Sequence, residues 1–473
     1  MTGALVVGSG PNGLAAAIAL AREGVEVEVR EAADHLGGGL HSAELTLPGY
    51  VHDVCASVLP LAAGSPFFRT LDLGVEWVHP TAPAAHPLDD GTTVVLERGL
   101  DETAAGLGRD GAGYRRLVEP LVEGWTELAP VVLGSLPPTP RRALRAIDAV
   151  GAAHLARATR TALADARSVA TSLFQTERAR AWFAGHCAHA LLPLERRPSA
   201  GFGLALTVMA HAVGWPFARG GSSALASALA ERIRELGGML ATASPVDELP
   251  RDRLVLADVS PTELVRLARG RLPARYEQRL RAFRHGPGAF KLDWALDGPI
   301  AWRAEECRRA GTVHLGGTLD EISQSEWAAW SGRHAERPFV LLVQQSCFDE
   351  TRAPAGKHVA WAYCHVPNGS DVDMTERIEA QVERFAPGFR DLILERHAMG
   401  PAQLEAQNRN LVGGDLNGGA MDLGQLVYRP ARRPGRYRTP LDNVYLCSAS
   451  TPPGGGVHGM CGYWAAREAL ATL

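Results

Sequence analysis

The residues of this chain that can do chemistry fall into three groups. The first is Gly8-Ser9-Gly10-Pro11-Asn12-Gly13, a GxGxxG run that follows the apolar stretch Ala4-Leu5-Val6-Val7, with Glu31 closing the next strand-like segment. In such a run the first glycine allows a tight turn and the second lets backbone approach a pyrophosphate. The third lets helix pack on strand, and the acid accepts from ribose hydroxyls. The helix that opens there offers N–H donors and partial positive charge to phosphate. The second group is centred on Lys291, in Phe290-Lys291-Leu292-Asp293-Trp294. Of 48 Lys and Arg residues, only Lys291 and Lys357 are lysines. A buried ammonium stabilises negative charge that develops beside it, whereas a surface lysine does no more than pair with a carboxylate. The third group is histidines. His458 follows Gly454-Gly455-Gly456 and can serve as donor or base, or else cap or pack the loop. His52 and Asp53 are adjacent in a β-like stretch and point to opposite faces, so they form no dyad, and Asp53 is expected to hold a turn. His186 and His189 share a helix face, but no further ligands lie in register and no metal site is assigned. Cys55 is expected to pack rather than react. Neither HExxH nor GxSxG occurs.

The elements that must position these groups are legible in part. Residues 4–31 read as a strand, a glycine turn, an Ala/Leu-rich helix ended by Gly24, and a second strand with alternating Val25, Val27 and Val29. Residues 37–100 read as short strands and turns, and 101–235 as largely helical, with Pro-rich breaks at 136–140 and around Pro193. Gly237-Gly238 ends a helix that starts near Ser222. Residues 254–257 and 444–447 read as buried strands of a parallel sheet. Residues 290–296, 313–318, 339–347 and 359–366 read as strands of a second, antiparallel sheet. Composition sets the outer limits. The 473 residues are 46% hydrophobic and 21% charged with net charge −4, which fits a globular chain of two or three domains and gives a nucleic-acid backbone nothing to bind. Seven cysteines without a CxxC pair argue against a disulfide scaffold or thioredoxin-type centre. With no long apolar run and no basic leader, the expected compartment is the cytoplasm. Arg141, Arg142, Arg145, Arg157 and Arg160 alternate with Leu144, Ile147 and Leu155. That pattern suits a solvated helix face better than membrane contact.

Further segments carry a resemblance. These are Gly37-Gly38-Gly39 soon after Glu31, Asn443-Val444-Tyr445-Leu446-Cys447 followed by 451–459, Gly49-Tyr50-Val51-His52-Asp53-Val54-Cys55, and Gly414-Asp415-Leu416-Asn417-Gly418-Gly419. Together with the GxGxxG run they resemble the flavin amine oxidase and carotenoid desaturase superfamily, most closely its phytoene-desaturase-like branch. The resemblance implies FAD. It implies that Gly37, Gly38 and Gly39 approach the pyrophosphate and that Val246 meets adenine through its backbone. It also implies that Gly455, Gly456, Val457, His458 and Met460 lie against the flavin ring. Lys291 falls where amine oxidases place a lysine that reaches flavin N5 through water, and Trp302 where they carry tryptophan. Two departures stand out. Ala33 replaces an arginine often found two residues after the ribose acid, and 452–460 lacks the aromatic residue of an amine-oxidase cage. The pyridine-nucleotide disulfide reductases carry a second GxGxxG and a CxxC, and both are missing here.

The expectation is an α/β fold, with a Rossmann-type FAD-binding domain interleaved with an α+β substrate domain of helices and an antiparallel sheet. The FAD-binding parts are 1–100, 220–270 and 415–473. The substrate domain is 101–219, mostly helical, plus the sheet of 271–414. The expected activity is that of an FAD-dependent dehydrogenase or desaturase taking a hydride from a substrate C–H to flavin N5, with Lys291 and His458 as catalytic candidates. The substrate is an apolar small molecule, and oxygen, a quinone or NAD(P) is the final acceptor. Amine or amino-acid oxidation using Lys291 near N5, and redox-neutral FAD-dependent isomerisation, are the alternatives.

Overall fold

The computed structural model describes residues 3–134, 138–431 and 436–472. A five-stranded parallel sheet runs in the order Val444–Leu446, Leu254–Ala257, Ala4–Val7, Val27–Arg30, Met239–Ala241. Its central strands are continuously apolar because both faces are covered. Helix Pro11–Ala21 is buried from Asn12 through Ala21, as an all-round apolar helix must be. It packs against helix Met460–Leu470 so closely that a Cβ on Gly462 would stand 1.7 Å from the Asn12 carbonyl oxygen. The N-termini of the two helices therefore lie side by side at the carboxyl ends of the strands. Chain order reverses between Val27–Arg30 and Leu254–Ala257 on either side of Ala4–Val7, which puts a crevice at that point.

The second sheet has seven strands, in the order Ile393–Met399, Gly288–Leu296, His358–Val366, Val340–Val343, Ala310–Leu315, Ala82–Pro87, Thr93–Leu96. It is antiparallel except where Ala82–Pro87 pairs in parallel with Ala310–Leu315. The hairpin 82–96 thus belongs to this sheet and not to the nucleotide half assigned to 1–100. Its strand Ala82–Pro87 is fully buried and finds its partner far along the chain. One face of the sheet sends Leu292, Trp294 and Leu296 into a core under helix Thr375–Phe385. The other carries two rungs fixed by register. One is Lys291, Tyr363, Leu341 and His314; the other is Asp293, Trp361, Val343 and Thr312.

The helical segment lies against that second face, chiefly through helices Glu177–Ala188 and Ser199–Ala212. The first of the Pro-rich breaks lies partly outside the described residues, while the helix before Gly237 runs Ser223–Glu235. The arginine-rich stretch divides at Gly151, whose φ of 83° ends helix Pro140–Val150 before Ala152–Ala162 begins. Leu144 is 59% exposed there, and the Arg142 guanidinium lies over the Trp464 ring at 4.1 Å. Among the described residues no helix is long and apolar enough to cross a membrane.

Candidate cofactor and substrate cleft

A cleft of about 310 Å³ starts at Gly10, Pro11 and Asn12 and ends against the second sheet at Trp361 and Tyr363. At its nucleotide end two glycine loops touch. A Cβ on Gly38 (φ 56°) would stand 3.0 Å from the Gly10 Cα, and the Gly37 N–H donates to the Ser9 carbonyl at 3.2 Å. Gly39 lines the cleft. Gly8 (φ 94°) makes the turn, and a Cβ on Gly13 would stand 2.1 Å from the Gly8 carbonyl. Glu31 reaches the loop at the strand end. Its Oε2 accepts from the Ser9 N–H at 2.8 Å and the Ser9 hydroxyl at 2.7 Å, and its Oε1 accepts from the Ala33 N–H. The segment after Met239–Ala241 runs alongside, with the Ser244 N–H donating to the Glu31 carbonyl. Val246 lies in this segment. Its side chain is buried, and its carbonyl accepts from Arg266 at 3.5 Å.

These residues fit a dinucleotide. The backbone approach is open only to glycine, two helix N-termini converge, and the Asn12 Oδ1 in the cleft wall is buried without a partner. Sequence reasoning missed Asp258, which follows the strand Leu254–Ala257. Its Oδ2 accepts from the Gly13 N–H at 2.9 Å, and its carbonyl accepts from Asn410 at 2.9 Å. The signal was available: Asp258 ends a parallel strand at the switch point.

The C-terminal loop forms another wall, to which Gly456 and Val457 contribute. A Cβ on Gly455 would stand 2.7 Å from the Asn417 carbonyl. His458 does not turn to the cleft. It is 1% exposed, its Nε2 is 3.2 Å from the Gly454 carbonyl, and its Nδ1 accepts from the Met460 N–H at 3.0 Å. Burial pushes it down to about 4. Both ring nitrogens are spent inside the loop, so the expected donor or base role is corrected to holding the turn into helix Met460–Leu470. Met460 is the buried first residue of that helix.

Lys291 is buried and not on the surface. It is ion-paired to Asp293, and its Nζ is 5.6 Å from the Trp361 ring centroid, behind the cleft wall that Trp361 and Tyr363 form. His52 Nδ1 is 3.6 Å from the other Asp293 oxygen. Burial and then Lys291 hold His52 down to about 4, even with Asp293 beside it. Asp53 points the other way, as expected, but does more than hold a turn. It accepts from the Ser42 and Ser57 hydroxyls and the Ser222 N–H, and it pairs with the fully buried Arg352 at 3.1 Å. Cys55 lines the cleft, and burial raises its thiol. Trp302 lies in the core on the far side of the sheet, donating to Gln344.

At the far end of the Lys291 rung, His314 meets His189, which lines the cleft, with Nε2 atoms 3.0 Å apart. Burial, and His186 next to it, push His189 down to about 3, so it is a neutral imidazole. His186 packs on His314 at 4.9 Å between ring centroids. Leu206, Trp215 and Leu341 complete this chamber. The aromatic residues of this chamber come from the strand His358–Val366 and from Trp215 in the loop after helix Ser199–Ala212. Trp361 and Tyr363 are stacked at 5.6 Å. Among the described residues no group of three His, Cys, Asp or Glu side chains could hold a metal.

Fold and cleft together define a Rossmann-type nucleotide-binding unit joined across a cleft to a second, mainly antiparallel sheet. Comparison with known proteins shows what the chain is similar to. Residues 6–73 match the NAD(P)-binding Rossmann-like domain. The chain is 26% identical to pyridine nucleotide-disulfide oxidoreductase domain-containing protein 2 of Rattus norvegicus, over 99% of this chain and 93% of that one. Despite the wording of that name, all seven cysteines here are free. A stretch covering 25% of this chain, and 25% of its relative, is 33% identical to 4,4'-diapolycopen-4-al dehydrogenase of Metabacillus indicus. The fold matches putrescine oxidase bound to putrescine with a TM-score of 0.63 at 16% identity, covering 99% of each chain. The chain thus shares the fold of these proteins over its whole length, with a Rossmann-type nucleotide-binding unit at its start.

Proposed function

We propose that this protein is an FAD-dependent dehydrogenase or desaturase acting on a neutral, apolar small molecule. The observation that carries the reading is one continuous cleft, glycine-walled at one end and lined by Trp361, Tyr363, Leu341, Leu206 and Trp215 at the other. The only carboxylate among its lining residues is Asp258, at the nucleotide end, so no carboxylate in the chamber pairs with a cationic amine. Bound FAD supplies a two-electron acceptor for a substrate C–H, and oxygen, a quinone or NAD(P) takes the electrons onward.

The chain's residues do the rest. Gly8, Gly10, Pro11, Asn12 and Gly13, with Gly37, Gly38 and Gly39, admit the pyrophosphate to the helix N-terminus. Glu31 accepts from ribose, and the Val246 backbone meets adenine. Gly455, Gly456 and Val457 place the flavin ring, held in shape by His458 and Met460. Lys291, ion-paired to Asp293, stands behind the aromatic wall, where a cationic side chain stabilises negative charge developing in the cleft. The aromatic wall excludes water. Lys291 also supports a second reading, amine oxidation.

The test begins with the absorbance spectrum before and after anaerobic dithionite, followed by acid release of the cofactor. Flavin bands that bleach, and released FAD, are expected; a colourless chain that cannot be reconstituted with FAD overturns the reading. Lys291→Met should slow flavin reduction or reoxidation, and unchanged rates of both remove Lys291 from the mechanism. Peroxide release with primary amines but not with apolar C–H donors would favour the amine reading.

A further inference from the structure

Asp258 stands where a dinucleotide's phosphates need positive surroundings. Its side chain is 5% exposed and its Oδ2 accepts from the Gly13 N–H in the first turn of helix Pro11–Ala21. A Cβ on Gly10 would be 2.6 Å from that same oxygen, so the carboxylate forms the floor under the first glycine loop. Among the described residues no Lys, Arg or His pairs with it. The charged and titratable groups facing it are Glu31 at the end of the adjoining strand, Cys447 after Val444–Leu446, and Cys461 in helix Met460–Leu470. Both thiols are neutral, since burial raises Cys447 well above the usual thiol range and Cys461 to about 12. Burial also lifts Asp258 to about 7, opposed by the Gly13 N–H and reinforced by Glu31.

An ionised carboxylate at this place competes with pyrophosphate for the helix N-terminus and repels it. A protonated one can donate its O–H to a phosphate oxygen. We propose that Asp258 carries a proton whenever the dinucleotide is bound, so that FAD is taken up together with one proton and released as the pH rises. The proposal rests on the FAD reading above. The proton comes from solvent onto an Asp258 carboxylate oxygen, and nothing is oxidised or reduced. The sign follows from linkage. Binding favours the protonated form, so affinity is full below the free-state value and falls once pH passes it.

The test is FAD binding to the cofactor-stripped full chain, followed by flavin fluorescence from about pH 6 to about pH 8.5, with proton uptake measured by calorimetry in two buffers of different ionisation enthalpy. Above about pH 7 the Kd should rise about tenfold per pH unit, with about one proton taken up per FAD at the upper end. Asp258→Asn keeps an acceptor for the Gly13 N–H and loses the titration. It should bind FAD with a flat pH profile and no proton uptake. A flat wild-type profile, or an unchanged slope in Asp258→Asn, overturns the proposal while leaving the FAD site intact. If Asp258→Asn does not fold, the wild-type proton count decides alone, and zero uptake overturns the proposal. No FAD binding at any pH overturns the FAD reading itself, and this proposal with it.

Discussion

Asp53→Asn is the most informative single change for stability, because Asp53 ties three parts of the chain together. Its carboxylate accepts from Ser42 and Ser57 in its own segment, from the Ser222 N–H ahead of helix Ser223–Glu235, and from Arg352. Burial alone would raise it, but Arg352 and these hydrogen bonds hold it down from an ordinary 3.8 to about 2. That difference is worth about 2 kcal/mol at neutral pH. Breaking a buried ion pair, which strands the Arg352 guanidinium with Asp349 alone, costs about 3–5 kcal/mol. Urea unfolding at neutral pH should therefore show Asp53→Asn less stable by about 3 kcal/mol. A carboxylate held low contributes stability above its unfolded value and loses it as pH falls through its folded value. The gap between wild type and variant must then narrow from about pH 4 towards about pH 2. Adding Arg352→Met removes the stranded charge, and Asp349 keeps its bonds from the Gly220 N–H and Thr351. The double variant should thus cost less than the sum of the singles by about 1 kcal/mol or more. A loss below about 1 kcal/mol for Asp53→Asn, or strict additivity, would refute the reasoning.

Other changes probe other links. Gly10→Ala puts a Cβ 2.6 Å from the Asp258 carboxylate, and FAD affinity should drop about tenfold or more with far-UV dichroism unchanged. Equal affinity would mean that the first loop does not carry the phosphates. Gly462→Ala must push helix Met460–Leu470 off Asn12 and should cost about 2 kcal/mol in urea unfolding, with the denaturant slope unchanged. Asp258 also predicts a pH effect without cofactor. Because burial keeps its proton on in the folded chain up to about 7, cofactor-free protein should lose stability as pH rises from about 4 to about 7. Asp258→Asn should flatten that part of the curve, and a slope that survives the substitution assigns it elsewhere.

How much of this was legible in the sequence depended on range. The unit from Ala4 to Glu31 could be read because a glycine loop, a helix start and a strand-end acid are local chemistry at fixed spacing. The helix before Gly237 and the strand bearing Lys291 were read for similar reasons. What failed depended on distant partners. The hairpin 82–96 joins the second sheet through Ala310–Leu315, and no local pattern announces that pairing. Asp258 meets Gly13 only because Leu254–Ala257 lies beside Ala4–Val7. That Lys291 and His314 occupy one rung follows from register across two intervening strands. For His458 the choice between donor or base and loop packing was left open by the sequence for a different reason. The loop turns through positive φ at Gly454, Gly456 and Gly459, which bends the ring back onto the Gly454 carbonyl and the Met460 N–H.

The order of strands in the nucleotide sheet sets a timetable for synthesis. Ala4–Val7 is made long before its partner, so it waits for Leu254–Ala257, and that strand waits in turn for Val444–Leu446. Helix Met460–Leu470, which seals the apolar helix Pro11–Ala21, leaves the ribosome long after the helix it covers. For most of translation the chain therefore carries an uncovered greasy helix and a half-built parallel sheet, the kind of intermediate that folds slowly and sticks to its neighbours. Early termination anywhere before residue 444 would leave the glycine motif intact and strip away the structure that shapes it.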